Sequence, residues 1–459
     1  MAQQAVTYAN LWVDGRWLRD ATVRIDAAGN TLEVTTNGSG TNSPVPGLTL
    51  PGLVDAHCHA FQRALGAWTQ RAAGTRDDFW SWRETMYALA GRLDRDALEA
   101  ITARCYLELL RGGYTSVAEF LYLHRLGERR ALDADQAVAA AARRTGMGLT
   151  LLPTLYQHAD FGGAPPRPGQ IPFVRETARF LEDWQELCRR YPAGSAVGLG
   201  LAFHSLRAVD IDTIGRVHQA LHSDPLCRCI HIHVSEQPAE VAGCLRQHGA
   251  TPVALLASRG LLSAKWALVH ATHATEAELN QLRTAQATLV LCPTTEADLG
   301  DGCPPLSAFL DAGGQMAIGS DSNIGRNAPD ELRALEWSQR LARGRRNVLS
   351  SAADPAVADR LYRIALHGGQ RAIGASGAAA RADFVTYAAG QGDWDLQSRE
   401  DYLSALVFDA AAPRARHVLV GGRWIIRDGV HPEETQIEAN YRETLQRLRT
   451  QIRTGRDHE

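Results

Sequence analysis

Residues 53–59 read LVDAHCH, an apolar run that ends in two histidines one residue apart. Alternate side chains of a β-strand point to the same face, so His57 and His59 would project together while Cys58 points away. Two imidazoles on one face of a strand end form a metal-ligand arrangement, although they could also be two unrelated polar residues. The remaining sequence decides between these two interpretations.

Seven further apolar runs follow, separated by longer stretches of helical spacing. In chain order the eight runs are LVDAHCH, TSVAEF, GLTLLPTLY, AVGLGLAFHS, CIHIHVSE, WALVHAT, TLVLCPTT and QMAIGSDS. Alternating strands and helices are typical of repeated β/α units, and eight such units close a TIM barrel. A doubly wound open sheet would carry a phosphate-binding glycine fingerprint after its first strand, and none is there. The sequence therefore predicts an α/β fold with a (β/α)8 TIM barrel.

The two ends of the chain share a different pattern. ANLWVDGRWLRD near the start and ARHVLVGGRWIIRDGV near the end alternate β-branched and polar residues around DG and GG turns. We expect these ends to join in a small β-sandwich, made of residues 1–48 and 380–432, beside a barrel of residues 49–379. The helical spacing of the last stretch predicts a C-terminal helix over residues 433–459.

Composition narrows the class of partner. The 459 residues carry a formal net charge of −3 and no basic tract, so we expect no nucleic acid and no anionic membrane surface as partner. The start lacks a secretory pattern, and no apolar run reaches the roughly 18 residues of a membrane span. Eight cysteines without a framework spacing suit a reducing compartment. We expect a cytoplasmic protein with a small-molecule partner.

Metal-binding residue types stand at the ends of four predicted strands. His57 and His59 end the first, His233 the fifth, His270 the sixth and Asp321 the eighth. The carboxyl ends of barrel strands meet at one rim, and nitrogen and oxygen donors suit zinc or a similar divalent ion. A metal ion held by three of these imidazoles and the one carboxylate would keep a position open for water. This favours a catalytic site over a structural one.

The stretch HIHVSE offers two candidate ligands, because His231 and His233 share a strand face. Glu236 lies three residues after His233, where its carboxylate could reach a water molecule at the metal without being a ligand. This placement favours His233. Glu236 could instead be a solvated loop carboxylate or a helix N-terminal charge.

The motifs VDAHCH, HIHVSE, LVHATH and GSDS together resemble the amidohydrolase superfamily, in its branch of mononuclear deaminases. The resemblance covers nearly the whole chain, including the flanking β-sandwich. It extends to AFQRALGAW, DDFWSWRETMY, GYTSVAEFLYLH, LLPTLYQHADFGG, FHSLRAV and LCPTTEADLGDG. These further motifs imply a hydrolase that converts N-formimino-L-glutamate, a dicarboxylate of histidine degradation, to N-formyl-L-glutamate and ammonia.

The resemblance also implies roles for individual residues. One divalent ion, Zn2+ by expectation, would be held by His57, His59, His233 and Asp321. Glu236 would be the proton shuttle, and His270 with Asp321 would orient the attacking water. The implied substrate contacts are Gln62, Arg83, Tyr122, His204 and Arg207. The resemblance implies a homodimer as well.

The chemistry of a dicarboxylate substrate agrees with these contacts, since it needs cationic forks placed away from the metal. Arg83 follows the aromatic stretch DDFWSW, and His204 and Arg207 stand three apart after the fourth strand. Arg83 could instead form a helix-surface ion pair with Glu84. Trp80 and Trp82 are expected to pack the loop rather than to touch substrate.

Lys265 is the only lysine of the chain. Superfamily members with two metals commonly bridge them through a carboxylated lysine of the fourth strand, yet AVGLGLAFHS contains none. Lys265 precedes His270 by five residues and therefore lies toward the opposite rim of the barrel. We expect a single metal ion, and no Schiff-base chemistry.

Two other functions have to be weighed. An aromatic-base deaminase, acting on a purine, pterin or triazine, would use the same metal site, but a flat neutral heterocycle has little use for Arg83 and Arg207. A catalytically silent barrel that serves assembly or binding would have lost ligands, whereas all four candidates are present.

Overall fold

The computed structural model describes residues 4–36, 43–70, 78–126, 132–375, 380–388, 398–411 and 413–456. Four strands form the N-terminal part: β1 (Gln4–Val13), β2 (Arg16–Ile25), β3 (Thr31–Thr36) and β4 (Val45–Pro51). Asp14 and Gly15 join β1 to β2 with positive φ angles of 46° and 84°. This backbone is the tight hairpin that the DG pair predicts.

Each of the eight apolar runs forms strand structure, and neighbouring strands pair in parallel. The strands are β5 (Leu53–Cys58), β6 (Tyr114–Leu121), β7 (Gly148–Leu155), β8 (Val197–Leu199), β9 (Leu201–Phe203), β10 (Ile230–Val234), β11 (Trp266–His270), β12 (Thr288–Leu291) and β13 (Gln315–Ile318). The fourth run is divided at Gly200, where a Cβ would come within 2.5 Å of Cys229 Sγ. A parallel bridge between Cys58 and Asp321 brings the last strand to the first and nearly closes the ring. The predicted α/β barrel is confirmed.

Helices fill the connections between the strands. They are α1 (Phe79–Ala90), α2 (Arg95–Arg111), α3 (Leu132–Thr145), α4 (Thr177–Arg190), α5 (Ile211–Leu221), α6 (Pro238–His248), α7 (Pro252–Ser258), α8 (Glu276–Thr284), α9 (Pro293–Leu299), α10 (Leu306–Asp311), α11 (Ala328–Arg343) and α12 (Val357–Ala372). Within the described ranges, every helix is too short or too polar to cross a lipid bilayer.

The chain returns to its first strands after α12. Strands β14 (Phe384–Tyr387), β15 (Ala415–Val420) and β16 (Arg423–Ile426) join the sheet in the order β16-β15-β14-β4-β1-β2-β3. This arrangement confirms that both chain ends build one β-unit beside the barrel. Strand β4 crosses the limit drawn at residues 48–49, and the limits of the three predicted segments stay predictions.

Two helices complete the chain. The short helix α13 (Tyr402–Ser404) precedes β15, and α14 (Glu434–Arg456) closes the chain as a long helix. Ion pairs tie α14 to α2, with Arg104 Nη1 2.7 Å from Glu438 Oε1 and Arg111 Nη2 2.5 Å from Glu434 Oε2. The C-terminal segment therefore packs on the barrel rather than extending from it.

Candidate active site

Four histidines and one aspartate meet at the rim where the barrel strands end. They are His57, His59, His233, His270 and Asp321, and each is at most 6% exposed. Nε2 of His57 lies 3.0 Å from Nε2 of His233 and 3.5 Å from Oδ1 of Asp321. Nε2 of His59 lies 3.4 Å from the same carboxylate oxygen. Side chains from four separate strand ends thus point at one small volume.

These distances suit a bound cation. Donor atoms about 2.1 Å from a tetrahedral ion stand roughly 3.4 Å from one another. His57, His59 and Asp321 offer ligand atoms within 4.8 Å of one another, and so do His57, His233 and His270. The nitrogen and carboxylate donors are of the kind that zinc and similar divalent ions accept. The cluster could therefore hold a metal ion.

The protonation of the imidazoles agrees with ligation. Burial lowers the pKa of His57 to about 3, and it lowers the pKa of His59 and of His233 as well. His59 donates through Nδ1 to the carbonyl of Phe120 at 2.9 Å, which leaves the Nε2 lone pair facing the cluster. Metals bind the neutral imidazole, so the three side chains are in the form that ligation requires.

His270 stands in a different environment. Its Nδ1 donates to Oε1 of Glu296 at 3.2 Å, and its Nε2 lies 3.8 Å from Oε1 of Glu236. Burial alone would lower the pKa of His270, but the neighbouring carboxylates of Glu236, Glu296 and Asp321 raise it to about 10. His270 is consequently a proton donor, in contrast to the three neutral imidazoles.

Glu236 follows β10 and lies beside the cluster. Burial is the main cause that raises its pKa to about 7, with Asp321 and Glu240 adding to the effect. A carboxyl group of that pKa exchanges a proton readily near neutral pH. The backbone around it is unusual, because Ser235, His270 and Asp321 have φ angles of 51°, 70° and 46°. Such left-handed conformations in residues other than glycine are costly and cluster at functional sites.

A cleft of about 520 Å³ opens over the cluster. The side chains of all five predicted substrate contacts line this cleft: Gln62, Arg83, Tyr122, His204 and Arg207. Gln62 donates to the hydroxyl of Tyr122 at 2.7 Å. Burial, reinforced by the charge of Arg207, lowers the pKa of His204 well below its ordinary value. The cleft therefore offers two cationic forks and several neutral donors.

Arg83 does not form the alternative ion pair with Glu84 in the described structure. Its guanidinium carbon lies 4.5 Å from the centre of the Trp80 ring and 5.4 Å from that of Tyr87. Trp82 packs against the hydrophobic core and also lines the cleft, whereas Trp80 does not line it.

Several lining residues were not foreseen from the sequence. They are Phe79, Met86, Tyr87, Tyr156, Phe173 and Leu299. Tyr156 is the last residue of the third apolar run, so its place at a strand end was a usable signal. Glu296, the partner of His270, lies in α9 just after β12 and offered a similar one. Phe173 ends a short 3-10 helix, Pro168–Phe173, whose sequence, PGQIPF, gives no such sign.

Lys265 lies away from the cluster, before the first residue of β11. Its Nζ donates to the carbonyls of His222 at 2.7 Å and of Cys227 at 2.9 Å. It therefore offers no bridge between two ions.

Residues 48–425 match the family described as Amidohydrolase family, so the chain belongs to that family. It is 39% identical over 438 residues to formimidoylglutamate deiminase of Pseudomonas aeruginosa, an alignment that covers 91% of this chain and 93% of the relative. It is 30% identical to 8-oxoguanine deaminase of the same species, with 83% of each chain covered. Among solved structures, an amidohydrolase from Brucella melitensis superposes with a TM-score of 0.89 at 33% identity, over 97% of this chain and 99% of that one.

Proposed function

We propose that this chain is a formimidoylglutamate deiminase, which hydrolyses N-formimino-L-glutamate to N-formyl-L-glutamate and ammonia with one divalent ion, Zn2+. One observation carries the proposal. A single cleft holds a metal-competent cluster with an adjacent acid–base pair, and also two guanidinium groups suited to a dicarboxylate. The full-length similarity to a deiminase of that name supports the same substrate.

The ligands in this proposal are His57, His59, His233 and Asp321. A divalent ion held there supplies Lewis-acid chemistry, since it lowers the pKa of a water molecule and polarises the atom under attack. His270 is placed outside this ligand set, as a hydrogen-bond donor whose Nδ1 faces Glu296.

Glu236 carries the proton in the reaction. It accepts a proton as the water oxygen bonds to the formimino carbon, and it then delivers that proton to the terminal nitrogen. The π pair of the carbon–nitrogen double bond moves to this nitrogen during the attack. The remaining hydroxyl proton then passes to the same nitrogen through Glu236 as the carbonyl forms, the carbon–nitrogen single bond breaks, and its electron pair leaves with ammonia. His270 donates a hydrogen bond to the oxygen as charge develops on it, and Asp321 orients the attacking water.

Substrate binding falls to the side chains on the opposite side of the cleft. Arg83 and Arg207 would each meet a carboxylate, because a guanidinium group offers two parallel donors to a carboxylate. Gln62, Tyr122 and His204 would add neutral hydrogen bonds.

The proposal also covers the location, the oligomeric state and the partner of the protein. We place it in the cytoplasm as a homodimer with a small dicarboxylate as its partner. All eight cysteines are free thiols, the state that a reducing compartment maintains.

An aromatic-base deaminase remains the second candidate, because the similarity to 8-oxoguanine deaminase covers most of the chain. The metal cluster would serve both reactions equally. Arg83 and Arg207 decide between them, since a neutral ring leaves two guanidinium groups without an anion.

The test is ammonia release by protein stripped of metal and reloaded with one equivalent of Zn2+, with N-formimino-L-glutamate, guanine and adenosine as parallel substrates. We expect metal-dependent ammonia from N-formimino-L-glutamate alone. Ammonia from a base instead would establish the second candidate. A metal-loaded protein that acts on none of them would indicate a silent barrel.

A further inference from the structure

Trp80 lies behind the two arginines of the cleft. The guanidinium carbon of Arg83 is 4.5 Å from the centre of the indole, and that of Arg207 is 5.9 Å from it. Trp80 is in the first turn of α1, where its backbone N–H donates to Oδ1 of Asp78 at 3.0 Å. Both arginines line the cleft and Trp80 does not. One ring thus backs two cations that come from separate segments of the chain.

These two arginines have no short ion pair with a carboxylate among the described residues. Nε of Arg83 and Nε of Arg207 are buried with no hydrogen-bond partner among the described residues. Arg207 forms a long ion pair, with its Nη2 4.0 Å from Oε2 of Glu236. Arg360, by comparison, pairs with Asp311 at 2.8 Å. A buried N–H group without a hydrogen-bond partner is costly, so the two cleft arginines need a further interaction to hold them.

The indole ring supplies that interaction. Its face carries partial negative charge and attracts a guanidinium group, most strongly where water is displaced. Because both cations share this ring, it offsets part of their mutual repulsion, in addition to the long ion pair between Arg207 and Glu236. The attraction acts on the guanidinium faces, so the N–H groups at the edges stay free for a ligand.

We propose that Trp80 is a positioning residue that holds Arg83 and Arg207 as a pair spaced for two carboxylates, and that it thereby sets the preference for a dicarboxylate. The identity of the reacting group rests on the proposed function; the pairing of the arginines does not. In the absence of the ring, the two guanidinium groups would move apart or turn toward protein carboxylates such as Glu236.

Two changes at this position test the proposal. Trp80→Leu removes the ring, and site-specific replacement of Trp80 by tetrafluorotryptophan keeps its shape but withdraws the negative charge from its face. Trp337→Leu is the matched control, since Trp337 backs Arg333 at 5.8 Å on the exposed side of α11, outside the cleft. For each metal-loaded protein, kcat and KM are measured with N-formimino-L-glutamate, and the affinities of glutarate and butyrate are measured by calorimetry.

For Trp80→Leu we expect KM and the glutarate Kd to rise about tenfold or more. The loss of a cation–π contact between desolvated groups weakens binding by a factor of that size. Butyrate, with one carboxylate, should lose less. kcat and metal content should stay close to the parent values, because Trp80 touches neither the cluster nor the reacting atoms. The fluorinated protein should shift in the same direction, and Trp337→Leu should match the parent.

Unchanged KM and glutarate affinity in the fluorinated protein would overturn the proposal, and so would equal losses for glutarate and butyrate. A Trp80→Leu protein that loses kcat and metal along with affinity would show a general structural role instead. If the parent released no ammonia from N-formimino-L-glutamate, the proposed function would fail, but the comparison of glutarate with butyrate would still decide the role of Trp80.

Discussion

Two imidazoles of the cluster, those of His59 and His270, differ in the group that their Nδ1 atom contacts. His59 donates its Nδ1 to a backbone carbonyl, whereas His270 donates its Nδ1 to the carboxylate of Glu296. A carbonyl fixes the orientation of a neutral ring, while a carboxylate also stabilises the ring with a second proton. The partner of Nδ1 therefore distinguishes His59, a proposed metal ligand, from His270, a hydrogen-bond donor at the same rim.

Replacement of Glu236 by Gln tests the acid–base role at the level of a single residue. Gln keeps the size of the side chain but cannot shuttle a proton, so we expect kcat to fall by about 10²- to 10⁴-fold. Metal content should not change, because Glu236 is outside the proposed ligand set. The measurement is steady-state ammonia release together with elemental analysis of the same sample.

The control is Glu438→Gln, which removes a carboxylate of the surface ion pair with Arg104. It should behave as the parent does. Near-normal ammonia release by Glu236→Gln would remove Glu236 from the proton-transfer role.

At the scale of elements, the seam between β5 and the segment after β13 holds ligands from opposite ends of the barrel sequence. His59 N donates to Asp321 O at 3.0 Å, and Asp321 N donates to His57 O at 2.8 Å. Asn323 adds hydrogen bonds from its amide to the carbonyls of His59 and Asp321, each at 3.0 Å. The distances between His57, His59 and Asp321 therefore depend on how closely β5 approaches the segment after β13.

Gly319→Ala tests this dependence. A Cβ at residue 319 would lie 2.7 Å from His57 O and 2.8 Å from His57 N, so the two segments have to separate. We expect a weaker metal affinity and a free energy of unfolding lower by about 1–3 kcal/mol, as for other overpacked sites. Chelator competition and chemical denaturation measure the two quantities.

Gly215→Ala in α5 is the control, because a Cβ there meets no heavy atom within 4 Å. It should leave metal affinity unchanged and keep or slightly raise stability. A Gly319→Ala protein with the metal affinity of the parent would show that the seam does not set the ligand spacing.

The strand order and the rim cluster could be predicted from the sequence because they follow from local patterns. Apolar runs buried on both faces identify parallel strands, and parallel strands of a barrel end at one rim. The wall of the cleft could not be predicted in the same way. Tyr87, Tyr156 and Phe173 come from three separate segments, and their rings meet only through tertiary packing. The ring contacts of Arg83 are local by contrast, since Trp80 and Tyr87 stand three residues before it and four residues after it in α1.

At the scale of the molecule, the metal-binding cluster and the wall of the substrate cleft come from different parts of the fold. The strands carry the cluster, while the cleft wall comes mainly from the excursion after β5 and the segments after β7 and β9. Catalytic residues at barrel strand ends with specificity in the loops are the usual division of a TIM barrel. Relatives with different substrate names can therefore share the whole fold with this chain.

The central claim is that the rim cluster binds one divalent ion through His57, His59, His233 and Asp321. Elemental analysis of the purified protein, after reloading and removal of loosely bound ions, tests it most directly. We predict one equivalent of a divalent ion per chain, and a loss of that ion in the His233→Ala and Asp321→Ala proteins. A parent protein with no bound divalent ion, or with two equivalents, would contradict the account.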